Sequence, residues 1–127
     1  MEIDCRENIE IGLMEIDAQH RVIFDKINEL IHLLESGASK CVFVKNLVEF
    51  QRHVLTHFKT EESLMIENNC KCYEHHKMQH EYFKDWIIDR LLHYREDNQI
   101  IEEIATFSKI WMKNHIVNTD IKLKLLN

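Results

Sequence analysis

Five histidines and two carboxylates in this chain have the types and spacings of a metal site. His57-x-x-x-Glu61 and His76-x-x-x-His80 are i,i+4 pairs, so each pair projects from one side of a helix, one turn apart. His20 heads the apolar series Phe24, Ile27, Ile31 and Leu34, all within about 40° of it at 100° per residue. His115 ends the series Ile101, Ile104, Ser108 and Trp111. Asp120 follows His115 at i+5. An ideal helix turns it roughly 140° away, so the two converge only where the helix widens or ends. A single inward histidine is ordinary. Five, with two carboxylates, each need a buried partner, and an unpaired buried carboxylate is costly. A metal centre satisfies all seven. Imidazole plus carboxylate without thiolate suits iron, manganese or zinc. Seven ligands exceed what one ion with an open position can use, and fit two. If both carboxylates and a solvent-derived oxygen bridge, three histidines complete one ion. Two leave the other with a vacancy that a diatomic can fill.

Four periodic segments must carry these residues. The first is predicted over Asp17–Ser36, with Asp17 as N-cap and Gly37 just past the end. The second starts after Ser39 and runs to Asn68 or Asn69, with Phe43, Leu47, Phe50, Val54, His57, Glu61 and Leu64 on one face. The third spans Tyr73–Arg95, with His76, His80, Phe83, Ile87, Leu91 and Tyr94 inward. The fourth opens after an N-cap at Asp97. The connections are short, which makes neighbours antiparallel. The fold class expected is all-α: an up-down-up-down four-helix bundle in one domain, 1–127. Within it, 1–16 form an extended arm packing Ile3, Ile9, Ile11 and Leu13 outside, 17–120 the bundle, and 121–127 a tail with a short turn.

Composition agrees. The 127 residues include no proline and only two glycines, which excludes the many tight turns of an all-β fold. A net charge of −6 argues against nucleic acid. No apolar run approaches the ~20 residues of a membrane span. Met1–Ile11 carries four acids and no apolar stretch, so no secretory signal is expected. Cys5, Cys41, Cys70 and Cys72 are accordingly read as reduced thiols in the cytoplasm. Cys70-Lys71-Cys72 has no matching second pair, so it is weak evidence for zinc.

Taken together, His20, His57-x-x-x-Glu61, His76-x-x-x-His80 and His115-x-x-x-x-Asp120 resemble the ligand set of the hemerythrin family, in particular the single-domain bacterial hemerythrins. The likeness covers nearly the whole chain. It takes in Ile11-Gly12, Glu15-Ile16-Asp17-Ala18-Gln19-His20, His57-Phe58, Glu61-Glu62 and Trp111-Met112-Lys113-Asn114-His115-Ile116. The resemblance implies two iron ions with a bridging oxo or hydroxo group and reversible binding of dioxygen, in transport, storage or sensing. It implies that His76, His80 and His115 hold the saturated iron, that His20 and His57 hold the open one, and that Glu61 and Asp120 bridge. Ile23, Phe58, Trp111 and Ile116 match the family's apolar oxygen pocket, with Met112 where leucine is usual. Cys5 stands where a tryptophan is common.

The rival readings are a di-iron peroxidase or oxidase, or a nitric-oxide or iron-handling protein using the same centre. Ferritin-like oxidases need glutamates and Glu-x-x-His motifs on facing helices. The one Glu-x-x-His here, Glu29 to His32, points Glu29 about 180° from His20. The run His76-Lys77-Met78-Gln79-His80 lacks the glutamate of a zinc protease. No enzyme is therefore expected beyond a weak peroxidase-type side activity, and a protein partner would act in trans. His32, His75 and His93 are expected in solvent, His53 at the core edge, and Glu62 pointing away from the site.

Overall fold

The computed structural model describes residues 11–94 and 98–126, of which 124–126 are described by backbone alone. Four helices form the expected antiparallel bundle: α1 Met14–Ser36, α2 Lys40–Glu67, α3 Tyr73–Leu92 and α4 Asn98–Asn118. A 3-10 helix, Asp120–Leu126, follows α4. There is no strand among the described residues. No helix in them is long and apolar enough to cross a membrane.

Local chemistry explains the boundaries between α1 and α2. Gly37 ends α1 in the left-handed region at φ 70°, donating to the Leu33 and Leu34 carbonyls, a conformation that favours glycine. Ser39 caps α2 through its side chain, accepting from Val42 N. The start of α1 differs from expectation. The helix begins at Met14, so the last three residues assigned to the arm are helical, and Leu13 is its N-cap without a side-chain bond. Asp17 is one turn inside the helix and works backwards: its buried carboxylate accepts from Ile11 N and Gly12 N at 2.8 and 3.0 Å. It therefore pins the incoming chain, with Ile11 buried beneath. Residues 1–10 of the proposed arm, including Ile3, Cys5 and Ile9, and the proposed cap Asp97 lie outside the described residues.

The cysteines also differ from expectation. Cys70 and Cys72 are joined by a disulfide in the α2–α3 connection. Asn69 adopts φ 50° just before them, and the tight turn sets their Cα atoms 5.2 Å apart, within bridging distance. Cys41 is a free, exposed thiol.

The interior divides along the bundle axis. Toward the α1–α2 connection it is dominated by apolar side chains, with Ile27, Leu30, Ile31, Phe43, Phe50, Ile101 and Ile104 buried, and the buried Asn46 donates to the Val42 carbonyl of its own helix. Toward the α2–α3 connection the same helix faces carry His20, His57, Glu61, His76, His80 and His115, with Asp120 beside them, all buried. The antiparallel order makes this possible. Each helix meets the polar end at a different point of its own length, so residues nearly a hundred positions apart share one level.

Candidate metal centre

α1 supplies His20, α2 His57 and Glu61, α3 His76 and His80, and α4 His115. Asp120 comes from the first residue of the 3-10 helix. The helix ends before Asp120, with Thr119 N still bonded to His115 O at 2.8 Å, and this ending turns the carboxylate back toward His115. The seven residues fall into two overlapping groups. One is His76, His80 and His115 with Glu61 and Asp120; the other is His20 and His57 with the same two carboxylates. In each group one donor atom per residue lies within 4.8 Å of all the others.

The carboxylates face both groups. Asp120 turns Oδ1 to His76 Nε2 and His115 Nε2, each at 2.9 Å, and Oδ2 to His20 Nε2 at 3.1 Å. Glu61 Oε1 lies 3.1 Å from His80 Nε2, 3.5 Å from His76 Nε2 and 3.4 Å from His57 Nε2.

The outward nitrogens fix what the inward ones present. His57 Nδ1 faces Gln19 Oε1 at 2.8 Å. The Gln19 amide cannot be reversed, because its Nε2 donates to Thr60 Oγ1, whose own proton goes to the Thr56 carbonyl. His57 Nδ1–H must therefore be the donor. His80 Nδ1 donates to Glu62 Oε2 at 2.8 Å. His115 Nδ1 donates to Gln79 Oε1 at 2.6 Å, an oxygen that also accepts from Thr119 Oγ1. In a neutral imidazole one nitrogen donates and the other keeps a lone pair, so these three rings present bare Nε2 atoms inward. Partners of this kind set the tautomer and orientation of metal-binding histidines.

These partners follow a rule. Gln19 precedes His20 on α1 and serves His57 on α2; Glu62 follows Glu61 on α2 and serves His80 on α3; Gln79 precedes His80 on α3 and serves His115 on α4. Each neighbour of one helix's inward residue steadies the imidazole of the next helix. The expectation that Glu62 points away from the site is corrected: its carboxylate is four-fifths buried and reaches His80.

Electrostatics point the same way. Burial lowers His57 to about 4. Burial, then the neighbouring His115 and His76, lowers His80 to about 2. Burial also lowers His115. These imidazoles are neutral at pH 7, the form that binds metal. Burial and the adjacent Asp120 push Glu61 well above the usual carboxylate range. Burial raises Asp120 as well, but the surrounding imidazoles, His115 foremost, hold it well below that range.

The protein alone leaves this arrangement unsatisfied. His57 Nε2, Glu61 Oε2 and Asp120 Oδ1 are buried without a hydrogen bond; their nearest contacts are too long or too oblique. The bare His115 Nε2 lies 3.0 Å from His76 Nε2, and the bare His80 Nε2 faces the Glu61 carboxyl. Lone pairs converging in a dry interior are costly, and cations between them remove the cost. The donor set fits two metal ions held by imidazole and carboxylate.

The other predicted residues are also located. Ile23, Phe58, Met112 and Ile116 are buried. Phe58 stacks on His80 with centroids 3.9 Å apart. Trp111, half-buried, stacks on His115 at 4.5 Å. His53 lines a surface groove with Glu15 and Gln19 and joins neither group. His32, His75 and His93 are exposed. Glu29 is exposed too, paired with Lys26.

Comparison with known proteins gives the same picture. Residues 12–124 match the family model described as the hemerythrin HHE cation binding domain. A bacteriohemerythrin of Stenotrophomonas maltophilia is 29% identical over 115 residues, covering 91% of this chain and 74% of that protein. A bacteriohemerythrin of Pseudomonas paraeruginosa is 27% identical with the same coverage. A hemerythrin-like protein of Naegleria gruberi is 33% identical over 115 residues, covering 90% of this chain and 84% of that protein. No solved structure matches at a comparable level. With a family match over most of its length, on a four-helix bundle that gathers histidines and carboxylates into one buried cluster, the chain belongs to the hemerythrin family.

Proposed function

We propose that this chain holds two iron ions among its four helices and uses them to bind dioxygen reversibly, as a carrier, store or sensor. The family supports a non-haem di-iron centre and oxygen binding in general. The observation that carries the reading for this chain is the two overlapping groups of buried donors that share Glu61 and Asp120. In this reading His76, His80 and His115 would hold one ion, His20 and His57 would hold the other, Glu61 and Asp120 would serve both, and a solvent-derived oxo or hydroxo group would complete the pair. When bound, the iron pair would supply the electrons that dioxygen binding needs.

The chain's own residues choose between binding and turnover. Gln19, Glu62 and Gln79 hold three imidazoles in the tautomer that offers Nε2 to metal. Ile23, Phe58, Trp111, Met112 and Ile116 form the proposed wall of the oxygen pocket, and none of them is an acid or a base. General acid–base help requires such a group within hydrogen-bond reach. An apolar wall also excludes the water that promotes loss of reduced oxygen species. The side chains of this wall therefore favour binding, and an oxidase or peroxidase would need a proton donor that the wall lacks.

The test is an optical titration of iron-loaded protein from anaerobic to aerobic buffer and back, with iron analysis on the same sample. Two irons per chain and a charge-transfer spectrum that appears and disappears with oxygen are expected. One zinc and no iron per chain overturns the centre. Steady oxidation of an organic substrate overturns the carrier reading.

A further inference from the structure

Five aromatic rings form a column from the α3–α4 surface to the metal-binding cluster. Trp86 of α3 stacks on Phe107 of α4, with centroids 3.8 Å apart and planes 21° apart. Phe107 lies nearly parallel to Phe83 of α3, at 6.1 Å and 9°. Phe83 stacks on Trp111 of α4 at 4.5 Å and 25°. Trp111 stacks on the His115 imidazole at 4.5 Å and 12°. The sequence builds the column simply: Phe107, Trp111 and His115 recur every fourth residue on one face of α4, while Phe83 and Trp86 are three apart on α3. Phe58, which touches the column from the side, meets it edge-on, at 81° to Phe83 and 66° to Trp111. The column is near-parallel throughout, within 25° at every step, and its widest step is Phe107 to Phe83.

Its outer end is accessible. Trp86 and Phe107 are half-buried and line a surface groove of about 630 Å³ whose rim includes Glu102, Glu103 and Arg90. Arg90 is already bonded to Asp89 and Glu103. Asp85, Asp89 and Glu102 are exposed nearby. The surface around the outer ring is therefore rich in acidic side chains. Its inner end is His115, in the cluster proposed to hold iron.

We infer that this column conducts electrons between the groove at Trp86 and the iron beside His115, and that the groove receives a one-electron donor with a positively charged docking face. The inference rests on the di-iron reading. Oxygen binding requires ferrous iron, and iron oxidised to the ferric state is idle until it is reduced. Ile23, Phe58, Met112 and Ile116 of the proposed wall are buried, which leaves a polar reductant no contact with the cluster past them, so an electron delivered at the surface travels through the protein. Two donor molecules each lose one electron, two ferric ions each gain one, and protons from solvent balance the charge. No bond between heavy atoms forms or breaks in the column.

The experiment uses the iron-loaded full chain, oxidised with ferricyanide, cleared of oxidant and mixed anaerobically with reduced methyl viologen, a cationic one-electron donor. Stopped-flow absorbance tracks loss of the ferric spectrum. Iron content, melting temperature and reversible oxygen binding are measured first for every variant. Trp86→Leu and Phe107→Leu are expected to slow reduction about tenfold at unchanged iron content and oxygen binding. Trp86→Phe, which keeps a ring in the stack, should recover most of the rate. Tyr82→Leu removes an exposed ring of α3 outside the column and should leave the rate unchanged. The rate should fall as salt is raised, because a cation is drawn to an acidic rim. Should Trp86→Leu fail to fold, Phe107→Leu breaks the column independently. Unchanged reduction rates in iron-loaded Phe107→Leu and Trp86→Leu overturn the column. A rate that rises with salt overturns the basic docking face. Absence of iron from the unmodified protein overturns the di-iron reading beneath both.

Discussion

The two ends of the bundle are built from the same helices and by opposite means. At the end near the α1–α2 connection, Leu30, Phe43, Phe50, Ile101 and Ile104 fill the interior with side chains that ask nothing of each other but shape. At the other end, five imidazoles and two carboxylates fill a similar space with groups that have unmet demands. The first end stabilises the fold in any solvent condition that keeps water cohesive. The second keeps buried polar atoms without hydrogen bonds, which a positive ion among them would satisfy. The polar end is thus a site because the apolar end holds the helices in register without it.

Phe50→Ala tests the apolar end. It should cost about 3–5 kcal/mol in both metal-loaded and metal-free protein, read from denaturant unfolding, while the iron bound per folded chain stays the same. A loss of iron in the folded fraction would mean the two ends are not separable. Metal removal tests the polar end. Ions that bind only the folded state stabilise it by about 2.7 kcal/mol at a hundredfold excess over Kd, so the metal-free protein should melt clearly lower. Melting within a degree of the loaded form would show that the polar end needs no metal.

Acid sharpens the comparison in the metal-free protein. His57, His80 and His115 are lowered in the fold, so between the free value of 6.5 and about 4 the unfolded chain binds more protons at these groups. Glu61 is raised, so above its free value of 4.5 the folded chain keeps a proton that the unfolded chain has lost. Three groups outweigh one, and stability should fall as pH drops from 6.5 toward 4.5, by on the order of 2 kcal/mol. A flat or rising profile in that window would contradict neutral imidazoles. The smallest effect belongs to the Cys70–Cys72 bridge. Its loop is minimal, so reducing it should cost no more than about 1.6 kcal/mol in the chain-entropy account, with iron content unchanged. Alkylation after denaturation, without reductant, should leave these two thiols unmodified; modification of both would restore the free-thiol reading.

The bundle and the inward residues are legible in the sequence because both rest on periodicity within one helix. His20, His57, Glu61, His76, His80 and His115 share faces with apolar residues at the 3–4 spacing, and all are buried. Helical geometry also poses the choice for Asp120 between a widened helix and an ended one, and the helix ends. Gln19, Glu62 and Gln79 are not legible as partners, because each reaches across to another helix and the angle around its own axis says nothing of that. Glu62 reads as a solvent residue for the same reason. Their only signal is position, each being the immediate neighbour of an inward residue. Asp17 reads as a cap because a residue of capping type can also bind the chain behind it from inside the first turn. The Cys70–Cys72 bridge escapes because compartment reasoning speaks to redox state and not to the turn that brings two sulfurs together.

The contact between His20 and Asp120, 100 residues apart in sequence, has a kinetic consequence. Helical hairpins form from local contacts and close quickly, whereas joining the first helix to the segment after the last requires the longest loop closure in the cluster. The i,i+4 pairs of α2 and α3 can assemble within their own helices, but the donor group of His20, His57, Glu61 and Asp120 does not exist until α1 and the 3-10 helix have both docked. On the proposed reading, metal capture at that group would come after bundle formation, and iron loading should lag behind the folding of the helices.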